Sequence, residues 1–337
     1  PTSESTAGLG FDIDHDHVGW LTFDRPDASV NTLTLPLMQE LDALLSQLES
    51  RIANGQILAL VIHSGKEGSF IAGADVEAIA ALSTTAEARA ASAEGQRIFR
   101  RIERLRVPTI AAIDGACMGG GTELVLHCDY RVASDRDSTA IGLPEVRLGI
   151  LPGFGGTVKL PALVGMQNAL GIILSGKAVR PSRAHRIGLV DLVVPAARFA
   201  AATREFVSEV IGGRVEKSAP SLGFGQRMLE RTGPGRRIMF GAARKRTAAE
   251  AGAFYPAPDK AIDVLAGAVG MRADDAYALD ADALGELAVT AESRSLDRVC
   301  RLSQSARRAL PEDVARLKRP VRKMGVIGAG TMGGAIA

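Results

Sequence analysis

The chain has 337 residues, which suits about two domains, and it is 46% apolar, 23% charged and only 4% aromatic, so its core must rest on Ala, Val, Ile and Leu. Forty basic and 38 acidic residues leave a net charge of +2, too weak a field to recruit nucleic acid or an anionic membrane surface. Three cysteines without metal-ligand spacing, a polar and acidic start, and no apolar run of membrane-spanning length predict a cytoplasmic globular protein with no metal site and no integral membrane segment.

In chain order, VGWLTFDRP (18–26) alternates and breaks at Pro26, which predicts a strand. Leu37, Leu41, Leu44, Leu48 and Ile52 then recur at helical spacing behind an N-cap at Thr34 and a proline in the first turn. ILALVIH (57–63) and VPTIAAIDG (107–115) are short apolar runs suited to strands buried on both faces. Between them, RIFRRIERLR (97–106) reads as an amphipathic helix whose arginines form a solvated face. Strand and helix signals alternate as far as LVDLVVP (189–195), the pattern of an α/β fold. Helical runs broken by Gly/Pro stretches follow from about residue 200. No internal repeat is visible.

MGGGTEL (118–124) raises a question of chemistry. Glycine lets backbone approach a ligand closely, and a helix starting at Gly120 or Gly121 leaves amides without intrahelical partners at its positive end. A second glycine turn, in SFIAGADVEAIA (69–80), places the amide of Ala74 between Gly73 and Asp75 at another helix start. Two such amides would stabilise an oxyanion. Glu123 follows one of them, ahead of an apolar run, and Glu145 is wedged between Pro144 and Val146. Two carboxylates there can divide acid and base duties.

The blocks AIDGACMGGGTELVLHCDYRVAS, IGLPEVRLGILPGFGGTVKLPALVG and SFIAGADVEAI resemble the signature segments of the crotonase (enoyl-CoA hydratase/isomerase) superfamily. DRPDASVNTLT and LSGKAVRPSRAHRIGLVD fit the same pattern, so the resemblance covers most of residues 10–200. It implies an α/β spiral of ββα units acting on acyl-CoA thioesters, with the enolate oxygen held by the amides of Ala74 and Gly120. It implies Glu123 and Glu145 as the pair that adds water to a trans-2-enoyl-CoA, Glu123 on the water and Glu145 as proton donor. Δ3-Δ2 isomerisation is an expected side activity. Asp75 and Gly153 are expected beside the substrate. Hydration itself needs no cofactor.

The last residues, KMGVIGAGTMGG, carry G-x-G-x-x-G at Gly328, Gly330 and Gly333 after a short strand, the context of a dinucleotide fingerprint, yet 15 residues cannot form that domain. The linker pieces APSLGFGQRMLERTGPGRRIMFGAARK, GAFYPAPDKAIDVL and ALGELAVTAESRSLDRV resemble those of multifunctional fatty-acid oxidation α subunits. That resemblance implies a hydratase domain (1–200), a helical linker (201–322) and the incomplete start of an NAD-dependent 3-hydroxyacyl-CoA dehydrogenase (323–337). It also implies a thiolase β subunit as partner in an α2β2 complex. The competing readings are a crotonase that isomerises or hydrolyses another acyl-CoA, and a non-catalytic docking module. GIILSGKA (171–178) lacks the Ser or Thr of a P-loop and reads as apolar helix. Lys66 reads as a solvated lysine or a CoA-phosphate contact, and Cys117 as a small core residue.

Overall fold

The computed structural model describes residues 8–26, 28–216, 223–251 and 255–308. The dinucleotide-like segment around Gly328, Gly330 and Gly333 lies outside them. The chain divides into two compact units, residues 1–297 and 298–337. Of the second, only the end of one helix falls among the described residues.

The sequence signals map onto elements with few surprises. Strands β1 (Leu9–Ile13) and β2 (Val18–Phe23) form an antiparallel hairpin, and helix α1 (Leu35–Ala53) follows. Thr34 caps α1 by accepting from Leu37 N, with proline in the first turn. The buried stripe of α1 is Leu37, Met38, Leu41, Leu45 and Leu48. Leu45 is thus buried where the spacing pointed to Leu44, which is only half-buried. The arginine-rich stretch belongs to a longer helix, α3 (Thr85–Glu103), closed at its start by a capping box between Thr84 and Glu87. Its outer arginines are paired rather than free: Arg97 with Asp42 and Glu94, Arg101 with Asp42 and Glu49.

Strands then come in pairs. β3 (Ala59–Ser64), β5 (Thr109–Ile113) and β7 (Tyr130–Ser134) enter a six-stranded sheet in the order β1-β2-β3-β5-β7-β9, with β9 at Leu192–Val194. Their short companions β4 (Ser69–Ile71), β6 (Ala116–Met118) and β8 (Ala140–Gly142) form a separate three-stranded parallel sheet, β4-β6-β8. Three successive ββ units therefore repeat in space, although the sequence shows no repeat. Alternate residues of the large sheet face two cores. Leu60, Ile62, Ala111 and Ile113 join α1 and α3 on one side, while Val61, Ile110, Ala112 and Val132 meet Val207 and Val210 of helix α8 (Phe199–Ile211) on the other. Burial on both faces explains why these strands read as unbroken apolar runs.

Helices α5 (Gly156–Val164), α6 (Met166–Ser175) and α7 (Pro181–Arg186) precede α8, and α9 (Phe224–Arg231), α10 (Gly233–Ala251) and α11 (Pro256–Gly267) follow it within the same compact unit as the sheets. The element that matters for the site is helix α12 (Ala273–Ala288), which lies along α3 and buries Tyr277, Asp280, Leu284 and Leu287. Helix α13 (Ala291–Arg308) ends the described chain. Among the described residues, no helix is long and apolar enough to cross a membrane.

Candidate active site

The small sheet delivers the candidate site. Its three strands run parallel and end side by side, so the residues just past each end meet. Past β4 lie Gly73 and Ala74, past β6 lie Gly119 and Gly120, and past β8 lies Glu145. Leu33 N donates to Gly73 O (2.9 Å) and Asp75 N to Leu33 O (3.1 Å), a parallel bridge that turns the Ala74 N–H to the opposite side. That side is where Gly120 begins helix α4 (Gly120–Leu126): a Cβ built on Gly120 would stand 3.5 Å from Ala74 N.

The three glycines are needed because of what presses on them. Gly119 takes φ 52°, in the left-handed half of conformational space, and a Cβ there would come within 2.9 Å of Glu145 Oε1. A Cβ on Gly121 would lie 2.6 Å from Ile71 O of the neighbouring strand. Thr122, next in the run, anchors the turn by donating its hydroxyl to Cys117 O or Gly142 O (both 2.8 Å). Cys117 is fully buried, and burial pushes its thiol up to about 12, which suits a core residue and not a nucleophile.

Glu123 is 2% exposed and sits on the first turn of α4. Phe154 N–H and Gly156 N–H both donate to its Oε1, at 2.7 and 2.8 Å. Burial, then the negative charges of Glu145 and Asp280, hold its carboxyl well above the usual range, against the pull of the two amides. Glu145 is 8% exposed and opens a 3-10 turn, Glu145–Leu148. Its Oε2 is buried and meets no hydrogen-bond partner among the described residues. Burial raises it to about 8, with Asp280 adding to the rise. Glu145 thus lies beside Gly119, and Ala74 beside Gly120, which begins the helix that carries Glu123.

Asp75 and Gly153 both have partners within the fold. The Asp75 carboxylate caps the short helix α2 (Val76–Ala80) by accepting from Glu77 N at 3.0 Å. Gly153 O accepts from Ser92 Oγ and Gln96 Nε2, and a Cβ on Gly153 would collide with Leu284. Lys66 pairs with Asp24 at 2.9 Å.

Sequence reasoning missed a buried polar layer behind Glu123. His127, one turn further along α4, puts Nδ1 2.7 Å from Glu123 O, a carbonyl that can only accept, so Nδ1 carries the proton. Burial lowers His127 to about 4, so the ring is neutral and Nε2 accepts the Tyr277 hydroxyl at 3.0 Å. Asp280, 0% exposed, accepts from Gln96 Nε2 (3.1 Å), Gly155 N (3.3 Å) and the Thr157 hydroxyl. Burial lifts Asp280 to about 7. The available signal was spacing: Asp280 stands three residues after Tyr277 and four before Leu284, in line with the buried stripe of α12.

With this geometry in place, known proteins become informative. Residues 14–219 match the family model described as enoyl-CoA hydratase/isomerase. The chain belongs to that family. It is 39% identical over 253 residues to the fatty acid oxidation complex subunit alpha of Vibrio cholerae, a match spanning 75% of this chain and 35% of that protein. The chain therefore spans about a third of the length of the curated relatives it matches. Among solved structures, the enoyl-CoA hydratase from Bacillus anthracis superposes with a TM-score of 0.56 at 30% identity, covering 71% of this chain and 90% of that one. Human mitochondrial delta3-delta2-enoyl-CoA isomerase, at 22% identity and a TM-score of 0.62 over 90% of this chain and 99% of that one, shares the fold. The expected crotonase-type spiral is thus the fold observed.

Proposed function

We propose that this chain adds water to trans-2-enoyl-CoA thioesters, the step its family name describes, in fatty-acid β-oxidation. The observation that carries the reading is that two buried carboxylates close enough to act on each other, Glu123 and Glu145, lie at the strand ends that bring Ala74 and Gly120 side by side. A crotonase with only one carboxylate could bind and enolise a thioester but would lack a second group to handle the other proton.

The hydrogen bonds support one division of roles. Burial raises both carboxyls, and Glu145, at about 8, holds a proton at neutral pH. Two amide donors on Glu123 Oε1 favour the anion there, whereas Glu145 Oε2 has no donor and is better off neutral. Glu123 is then the base and Glu145 the acid. In hydration, the water oxygen bonds to Cβ as its proton passes to Glu123. The π electrons move onto the thioester as an enolate, whose oxygen takes hydrogen bonds from Ala74 N and Gly120 N. The Glu145 proton then goes to Cα, and exchange with solvent returns the Glu123 proton to Glu145. No electrons are gained or lost, so the step needs no redox cofactor.

The deciding experiment follows the conjugated enoyl-thioester absorbance of crotonyl-CoA and of a longer enoyl-CoA without NAD. Wild type is expected to bleach it, and Glu123→Gln and Glu145→Gln each to fall by roughly 10²-fold or more. A wild type that binds acyl-CoA without bleaching the chromophore overturns the reading. Offering a 3-enoyl-CoA to the same samples measures the isomerase activity.

The relatives' name and the length they have beyond this chain support a further part of the proposal. The segment at 323–337 would open an NAD-dependent 3-hydroxyacyl-CoA dehydrogenase, with Gly328, Gly330 and Gly333 at the pyrophosphate. A thiolase β subunit would be the partner. Product of the first site would then pass to oxidation and cleavage.

A further inference from the structure

Helix α12 reaches the candidate site at one turn of backbone, Phe154–Thr157, and two carboxylates grip that turn from opposite sides. The grip interleaves. Phe154 N–H and Gly156 N–H go to Glu123 Oε1, while Gly155 N–H and the Thr157 hydroxyl go to Asp280. Gly155 adopts φ 101°, and a Cβ there would collide with Tyr277, so the turn is pressed against α12 as well as bonded to it. Gln96 of α3 locks the far side, its two amide hydrogens shared among Asp280 Oδ2 (3.1 Å), Tyr277 O (3.1 Å) and Gly153 O (3.0 Å). A carboxylate with no exposure has to be held by such donors to be tolerated.

We propose that Asp280 is a positioning residue for Glu123, acting through the Phe154–Thr157 turn that the two carboxylates share. The inference rests on the reading of Glu123 as the base of hydration. Asp280 touches neither Glu123 nor, by that reading, the substrate. It fixes the amides that fix Glu123 Oε1. It also acts through its charge, which raises both catalytic carboxyls. The titratable groups around it are Glu123 on α4, His127 capping the end of α4, Glu145 past β8 and Tyr277 on its own helix. Arg100, Glu103 and Lys159 lie further out and act on His127 or Tyr277.

The test compares Asp280→Asn and Asp280→Ala with wild type in the full chain, reading crotonyl-CoA hydration from pH 5 to 10 beside the Kd for butyryl-CoA, an unreactive saturated thioester. Asparagine can satisfy every partner: its oxygen accepts from Gly155 N and Gln96 Nε2, and its amide donates to the Thr157 hydroxyl, which rotates to accept. Asp280→Asn therefore keeps the turn and removes only the charge. Its kcat at optimum is expected within about threefold of wild type, because the geometry is kept. Both limbs of its pH profile are expected at lower pH, most visibly the alkaline limb, where wild-type Asp280 is anionic. Asp280→Ala frees the turn, and kcat is expected to fall by roughly 10- to 100-fold with KM and the butyryl-CoA Kd nearly unchanged. An active wild type whose two variants keep its kcat and pH profile overturns the inference alone, and so does a loss confined to KM and Kd. If Asp280→Ala does not fold, the pH profile of Asp280→Asn decides. A wild type inert on crotonyl-CoA removes the reading of Glu123 and this inference with it.

Discussion

Three strand ends of the small sheet and one face of α12 meet around Glu123, and they contribute different things. By the proposed reading the strand ends supply the reacting groups: the amides of Ala74 and Gly120, and the carboxylate of Glu145. Helix α12 supplies Tyr277, Asp280 and Leu284, which reach the site through the backbone of Gly153–Thr157 or through His127. The first region has positions where nothing but glycine fits. The second has an ordinary amphipathic helix with one acid out of place. Chemistry and its support are thus separable, which makes them testable apart.

The largest effect expected outside the two glutamates comes from the strand-end region. Gly120→Pro removes the amide hydrogen at the first helical position, the one place in a helix where proline is well tolerated. Loss of one oxyanion donor is expected to lower kcat by roughly 10²- to 10³-fold. Tm is expected to fall, since a Cβ there meets buried Leu33 Cδ1 at 3.0 Å, and the butyryl-CoA Kd to rise, since the ring replaces the N–H that would face the thioester oxygen, so kcat is read at saturating substrate. Activity near wild type in this variant would show that the Gly120 amide does not hold the developing charge.

Much of the first region was legible in the sequence because close approach leaves a mark. Gly119 and Gly121 stand where a Cβ would strike Glu145 Oε1 and Ile71 O, and the sequence shows them as an unusual run. What it could not show is that Glu145 comes to Gly119, since that depends on the order β4-β6-β8. The second region was not legible. Helix α12 carries Asp274, Asp275, Asp280 and Asp282, and Asp274 and Asp282 pair with Arg100 and Arg89 at the surface. Only register with Tyr277 and Leu284 marks Asp280 as the buried one. His127 stands four residues after Glu123, a spacing that already aims its ring at the Glu123 carbonyl, one helical turn back.

A smaller effect sharpens the comparison through pH. Glu123, Glu145 and Asp280 all have carboxyls raised by burial, so the folded chain holds protons that the unfolded chain releases. Their contribution to stability is complete below the unfolded carboxylate range and is lost as pH rises toward the folded values. His127 works the other way. Its folded value of about 4 lies below 6.5, so its contribution grows with pH up to about 6.5 and then stays constant. Between pH 6.5 and 8 only the carboxyls act, and stability should fall by roughly 2 kcal/mol for one proton carried across that interval. Urea unfolding at several pH values measures it. Glu145→Gln is expected to flatten the slope up to pH 8, and Asp280→Asn chiefly near pH 7. A wild type of constant stability across the interval would mean that these carboxyls are ionised in the fold.

The smallest effect separates two residues of the same helix. Tyr277→Phe keeps the ring, and with it the Arg100 guanidinium 4.6 Å from the ring centroid and the packing against Gly155. It removes only the hydroxyl that donates to His127 Nε2, leaving that buried nitrogen without a donor. The cost is expected at about 1–3 kcal/mol in urea unfolding. Yet His127 Nδ1 still donates to Glu123 O, and the Phe154–Thr157 turn keeps all four of its bonds to Glu123 and Asp280. The pH profile of hydration should therefore match wild type, with kcat within about threefold. If Tyr277→Phe shifts the pH limbs as Asp280→Asn is expected to, the polar layer behind Glu123 acts as one unit and the special role given to Asp280 dissolves into it. If stability falls while the profile stays, α12 carries its structural and positioning tasks on neighbouring turns of one helix.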